Sequence, residues 1–414
     1  MRQLWRYTRK VYDLGRRLRQ TREARQYPEI PVHAVVPCLF LGALLRVPSW
    51  LQLAKHTRQR PWQRFLRYAQ PLNHEVFNYV SEFLNLADLR DHLYAVARVA
   101  KANKALEPYK ICGYHVLALD ANEPFASRSR CCPDCCTRSV KVKGPDGQEG
   151  KETEYYHRFV FAHWVGSDLI LDLEPLRPGE EECAAALRLL ARLRRCLGVR
   201  FFDVVTVDAW YTKSPFFQAV QKLGWAVVAV LKQQDYEAYR EADALRPQTP
   251  LATFAAKGRN VELREVRDVR LTQNHPQTLR VVLADEQWTQ RRRRGREWQR
   301  SVKRSHWRWA AAAELDHVPA QGIWEMGHGR WGIENQTFNR LTRDYHLGHC
   351  FHHHPVAIMA WLLITMLAVN VTTLFVRHWI APRAEDDFTL CDLLRQWHAN
   401  LEWEADWETC LDSS

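Results

Sequence analysis

A chain of 414 residues with 46% hydrophobic content can bury a large core, which excludes a disordered polypeptide and points to two or three domains. The formal net charge is +12, yet the residues after Arg383 carry nine acids against Arg395 alone, a local −8 that leaves the body at +20. Such an excess is the footprint of a polyanionic partner, nucleic acid first.

The first element, MRQLWRYTRKVYDLGRRLRQ, has no apolar core of signal-peptide type, so a cytoplasmic chain with reduced thiols is expected. Residues 1–108 read as a helical, basic, DNA-binding region. Residues 1–30 alone hold nine Lys or Arg against Asp13, Glu23 and Glu29, interleaved with Trp5, Tyr7 and Tyr12. A solvated helix face accounts for this as well as a DNA-contacting arm does. VHAVVPCLFLGALL, Val32 to Leu45, reads as a core helix.

After Lys110 the pattern turns to strands. YHVLALD ends in Asp120; YYHRFVFAHWV and DLILDLEP follow, with a hairpin at Gly166-Ser167. A helix, AALRLLARLRRCL, is opened by glutamates and closed by arginines and Gly198, as the macrodipole and the C-cap favour. FFDVVTVD then reads as a strand buried on both faces and stops at Asp208. Ser214-Pro215 caps the helix FFQAVQKL, which gives way at Gly224 to the strand WAVVAVLK. Three strands, a helix, a strand, a helix and a strand resemble the ribonuclease-H-like order: an α/β fold with a mixed sheet flanked by helices. Asp120 and Asp208 then sit at strand ends that can be neighbours, whereas Asp172 and Asp203 lie inside their runs, where packing or pairing is expected.

Between the first two strands lies CCPDCC, Cys131 to Cys136. Cys132 and Cys135 have the spacing of half a zinc knuckle, and no second pair follows at the usual distance. A zinc site would have to recruit His157, His163 or the same cluster of another chain; free thiols in a surface loop are the other reading.

Residues 109–232 and 321–380 are thus assigned to the core, and 233–320 to a β-rich insert. In the insert, VELREVRDVRLT and TLRVVLADEQWT read as strands joined at Gln273-Asn274-His275-Pro276, and the basic run from Arg291 to Arg294 faces solvent or DNA. In HGRWGIENQTFNRL, a helical period puts Trp331, Phe338, Leu341 and Tyr345 on one apolar stripe with Glu334 in its middle, expected to be buried. Arg330, four residues earlier, is an ordinary helical partner for it. His352, His353 and His354 precede Pro355; three consecutive residues cannot all face one ion, so they read as a helix entry, with phosphate contact second. Val356 to Val376 is long enough to span a bilayer, but Asn370 inside it and its charged, His-rich flanks favour a buried core helix, and no membrane is expected. Residues 381–414 form an acidic tail.

Asp120, Asp208 and Glu334 are carboxylates on three separate elements, as two-metal phosphodiester chemistry requires, and they are candidate catalytic residues and ligands for two Mg²⁺ ions, with Mn²⁺ able to substitute. Lys213, Lys232 and Arg330 are candidate phosphate contacts, with plain surface charge as the alternative. Trp210 and Trp331 are candidate base-stacking or wall residues, and Asn335 and Arg343 complete the candidate DNA-binding set.

VVTVDAWY, LALDANEPF and GRWGIENQTFNRL resemble the three acidic motifs of bacterial insertion-sequence transposases of the DDE type, and the β-rich insert resembles the insertion-sequence family four group. The resemblance covers residues 30–380. It implies Mg²⁺-dependent hydrolysis at transposon ends, transfer of the freed 3′-hydroxyl to target DNA, a homodimer on double-stranded DNA, and a bacterial, nucleoid-associated location. That group's signature is Tyr-x2-Arg-x3-Glu-x6-Lys; Arg330 and Glu334 match, while Gly327 and Leu341 replace the tyrosine and the lysine, with Arg340 and Arg343 as basic neighbours. Two alternatives stay open: a nuclease of the same fold without strand transfer, and a non-catalytic DNA-binding protein derived from a transposase.

Overall fold

The computed structural model describes residues 2–143, 148–294, 297–383 and 390–403. Seven helices come first: α1 (Arg2–Tyr12), α2 (Leu14–Arg19), α3 (Val32–Leu44), α4 (Trp50–His56), α5 (Arg60–Leu66), α6 (His74–Glu82) and α7 (Leu86–Ala102). Side chains of Ser49, Asn73 and Asn85 accept first-turn amides and fix where α4, α6 and α7 begin. Apart from the 17-residue α7, these helices are short enough to be marginal alone, and packing holds them.

The sheet is built from β1 (Val116–Ser127), β2 (Cys136–Lys143), β3 (Glu149–Trp164), β4 (Leu169–Pro175), β5 (Val204–Val207), β6 (Ala226–Val230), β7 (Ala252–Ala256), β8 (Arg259–Arg270), β9 (Thr278–Arg294) and β10 (Glu297–Ala312). Its order is β2-β3-β1-β5-β6-β10-β9-β8-β7, with β4 also on β3. Within it, β4-β3-β1-β5-β6 is the ribonuclease-H arrangement: β1 antiparallel to β3, and β1, β5 and β6 parallel. The crossovers are α8 (Glu182–Leu197) and α9 (Ser214–Lys222). Two features depart from the expected pattern. β2, rich in exposed Arg and Lys, forms a long hairpin with β3 that hydrophobicity does not reveal. The insert, with α10 (Glu237–Leu245) ahead of its strands, has a place the sequence pattern did not give: β10 pairs with β6 and extends the central sheet.

Alternation along the strands divides the core between the two faces. Leu117, Leu119, Val205, Val207 and Val227 face one cluster, which runs from Leu4 to Trp397 and unites the N-terminal helices with the sheet. Val116, Ala118, Val204, Val228 and Trp309 face the other, covered by α11 (Ala320–Gly329). After a wide helical turn at Ile333–Phe338 come α12 (Asn339–Tyr345), α13 (Pro355–Phe375) and α14 (Leu390–Trp403).

α13 is long and apolar enough to cross a membrane, and here it is the buried axis of the first cluster, packed on α3, α6, α7 and β4. Its one amide side chain, Asn370, donates to the Ile170 carbonyl at 2.6 Å and accepts from the Ile170 N–H at 2.9 Å. Asp172 is fully buried and accepts from Tyr94 Oη, from Arg90 Nε at 3.2 Å and from Arg192 Nε at 2.7 Å. It is a structural ion pair, as its place inside a strand implies. In the acidic tail, Leu393, Leu394 and Trp397 of α14 are buried in the main core. Glu385, Asp386, Asp387, Glu404, Asp406, Glu408 and Asp412 lie outside the described residues.

Candidate active site

The parallel register pairs Ala118 with Thr206, so Asp120 and Asp208, each two residues further on, come side by side where β5 ends. β1 does not stop at Asp120 but continues to Ser127 along β3. Asp208 lies just past β5, where its Oδ1 accepts the Trp210 N–H at 2.8 Å and caps the turn Ala209–Tyr211. From the other side comes Arg330, whose Nη1 donates to Asp120 Oδ2 at 2.7 Å and to Glu334 Oε1 at 2.9 Å. One guanidinium nitrogen therefore joins two of the three acids. Burial pushes the Asp120 carboxyl up to about 7; Arg330 opposes this, and the Asp208 and Glu334 carboxylates add to it. Three converging carboxylates that repel one another's charge are the donor set a divalent, oxygen-seeking cation would fit.

Glu334 departs from the expected burial. Its side chain is 49% exposed, whereas Arg330 is 7% exposed. The cause is the turn Ile333–Phe338, which is a π-helix. Its wider turns shift the phase, so Ile333, Thr337, Phe338, Leu341 and Tyr345 take the buried stripe, Trp331 is half-buried, and Glu334 is turned toward Asp120. Such single π turns recur at functional sites. The turn is seated by Thr337 Oγ1 and His163 Nδ1, 2.9 Å apart.

The two departures from the transposase signature have steric reasons. A Cβ on Gly327 would lie 2.2 Å from the buried Trp309 Nε1, so no tyrosine fits there. Leu341 is 1% exposed, a position where a lysine would be buried without water. Arg340 is turned inward, donating to Thr373 Oγ1 at 3.0 Å and to the Asp168 carbonyl at 3.1 Å.

Of the candidate DNA contacts, Trp210 is 56% exposed, and Lys213 lies 4.9 Å from its ring centre while pairing with Glu181 at 2.8 Å. Lys232 is exposed at the end of β6, next to Gln233, whose side-chain amide donates to the Ala209 carbonyl. These three residues border the Asp208 turn. Trp331 packs edge-on against Trp307 at 5.0 Å and is a wall residue. Asn335 and Arg343 are exposed along one groove beyond Glu334. Arg330 is enclosed behind the acids rather than presented to solvent.

Reading from sequence missed two residues. Tyr211 is fully buried beneath the site and donates to Glu182 Oε1 at 2.5 Å, a contact also made by Arg158 to Glu182 Oε2 at 2.6 Å. His353 stands with Cys132, Cys135 and His157 rather than merely at a helix entry. The signal for it was the run His352-His353-His354 itself, whose residue type suits a metal but which reads as a helix entry because three consecutive residues cannot all face one ion. His163 is not part of that group; it is buried under the π turn.

The family model for the transposase DDE domain matches residues 167–371. Residues 167–371 thus form a DDE transposase domain. The match includes Asp208 and Glu334 and begins after Asp120, which the register of β1 and the bond from Arg330 place beside them. Among solved structures, the chain is similar to a piggyBac transposase synaptic complex with hairpin DNA, with 12% identity, a TM-score of 0.39, and coverage of 95% of this chain and 77% of that one. No curated protein matches the sequence.

Proposed function

We propose that this DDE transposase cuts DNA at the ends of its own element and joins the freed 3′-hydroxyl to target DNA, with Asp120, Asp208 and Glu334 holding two Mg²⁺ ions for which Mn²⁺ substitutes. The observation that carries the reading is the convergence of three carboxylates, Asp120 and Asp208 brought side by side by the register of β1 and β5, and Glu334 of the π turn joined to Asp120 through Arg330. Bound there, the cations would activate water and neutralise charge on the scissile phosphate. In this reading Arg330 orients Asp120 and Glu334, the cap on Trp210 N–H orients Asp208, and Trp210, Lys213 and Lys232 form an exposed aromatic and cationic rim for DNA beside it. The +20 body supplies the general attraction to the duplex. The finer reading is a bacterial transposase of the insertion-sequence family four type, working as a homodimer on DNA in the nucleoid.

The test is Asp208→Asn, assayed for Mg²⁺-dependent cleavage of a labelled element end and for joining to a target plasmid. Cleavage should vanish while DNA binding stays within a few-fold; equal cleavage by the variant would sink the triad. Cleavage without joined products would replace the reading by a nuclease. Binding without any cleavage by the unaltered protein would replace it by a DNA-binding protein.

A further inference from the structure

Away from the acids, four side chains from three distant segments meet. Cys132 and Cys135 come from the loop between β1 and β2, His157 from β3, and His353 from the run into α13. Their ligand atoms all lie within 4.8 Å of one another. Cys132 Sγ is 3.6 Å from Cys135 Sγ, and His157 Nε2 is 3.3 Å from each sulfur. His353 Nε2 is 3.2 Å from Cys135 Sγ.

Those spacings are close to the edges of a tetrahedron of ligands around zinc, which are about 3.8 Å between sulfurs and about 3.6 Å between sulfur and nitrogen for ordinary Zn–S and Zn–N bonds. A disulfide is not formed, since the sulfurs stand well beyond the roughly 2.05 Å of an S–S bond. The Cys132 N–H donates to Cys135 Sγ at 3.3 Å, and the Cys135 N–H donates to the Cys132 carbonyl at 3.1 Å, so the two-residue spacing is closed into a turn that turns both sulfurs the same way. Cys135 and His157 are buried, at 5% and 4% exposure. The neighbouring thiols are not part of the set: Cys131 is exposed, and Cys136 is directed at the carbonyls of Leu176 and Arg177.

We propose that Cys132, Cys135, His157 and His353 bind one structural Zn²⁺ ion. Two thiolates cancel its charge, so the site is neutral and its partial burial is not penalised. All four positions are filled by protein, which is the mark of a structural rather than a catalytic zinc. Soft sulfur with imidazole in a tetrahedron favours zinc over the magnesium suited to the carboxylates. The ion would have a mechanical role. β1, which carries Asp120, pairs Phe125 with His157, and the run carrying His353 follows the helices that carry Glu334. Zinc would therefore staple the segment after the third acid to the strand that bears the first.

The proposal is tested without any activity assay. Full-length protein purified without chelator should contain one zinc per chain by elemental analysis. Exchange with Co²⁺ should give thiolate charge-transfer bands and the strong visible bands of a tetrahedral ion. His353→Ala and Cys132→Ser should each lose stoichiometric zinc, and Cys131→Ser should keep it. If the single-site variants do not fold, the cobalt spectrum of the unaltered chain still decides. Protein that holds no zinc and gives only the weak spectrum of octahedral Co²⁺ overturns the proposal, as does a Cys132–Cys135 disulfide in the purified chain or unchanged zinc in His353→Ala.

Discussion

Arg330 and Asp120, 210 residues apart in the chain, share a hydrogen bond of 2.7 Å inside the candidate site. The same nitrogen reaches Glu334, so this buried arginine sets the separation of two acids. A lysine ammonium sits on a shorter, flexible stem and does not hold its nitrogen where the rigid, planar guanidinium places Nη1. Arg330→Lys should lower the cleavage rate by at least about tenfold, the rate equivalent of roughly 1.4 kcal/mol. DNA affinity should change little, because Arg330 is 7% exposed. A gel-shift titration beside a cleavage time course separates the two; lost binding with intact cleavage would return Arg330 to the role of a phosphate contact.

Gly327 is held to glycine by Trp309. With a Cβ placed 2.2 Å from the indole nitrogen, Gly327→Ala must push α11 off the sheet. Overpacking of this kind costs about 1–3 kcal/mol. Urea unfolding should show that loss, and the double variant with Trp309→Leu should be less destabilised than the sum of the two single changes. Strict additivity would mean that the indole is not what excludes a side chain.

Asn370 completes the open side of β4. β4 pairs with β3 on one side, and the outward N–H and C=O of Ile170 are both taken by the Asn370 amide. Asn370→Leu would leave two buried backbone groups without partners, at about 1–3 kcal/mol for each. A lowered urea midpoint is expected; a midpoint at or above that of the unaltered protein would show that water or another group takes over.

Two buried histidines should make the fold acid-sensitive. Burial, with Arg17 adding to it, lowers His92 from 6.5 to about 4, and burial with Arg340 and Arg377 lowers His163 to about 3. An imidazole depressed in the folded state takes its proton first in the unfolded one. The stability each contributes is therefore present above pH 6.5 and is lost as pH falls through about 4 and about 3. Between pH 6.5 and pH 5 each should lose about 2 kcal/mol. Urea midpoints at pH 7 and pH 5 measure this, and His163→Gln should shrink the difference; an unchanged pH slope would remove His163 from the account.

Much of the fold is legible in the chain itself, because strand alternation and helix punctuation are local. The strand that stops before Asp208, the helix opened by glutamates and closed at Gly198, and the apolar helix around Asn370 appear as elements at those places, while the strand carrying Asp120 starts as read and runs on to Ser127. The three carboxylates could be proposed as a site for the same reason, since each sits in a short motif whose residue types suit that chemistry. Tertiary structure decided what no local pattern carries. Glu334 looked buried because a regular period was assumed, and a π turn alters the phase and exposes it. No local pattern in the insert showed where its strands attach, and β10 docks on β6 and continues the sheet. Cys135 and His353 are 218 residues apart, and only the packing of α13 against the sheet brings them within 3.2 Å. Periodicity belongs to a segment, but a site belongs to whichever segments the buried core forces together, and that choice is made by the whole chain at once.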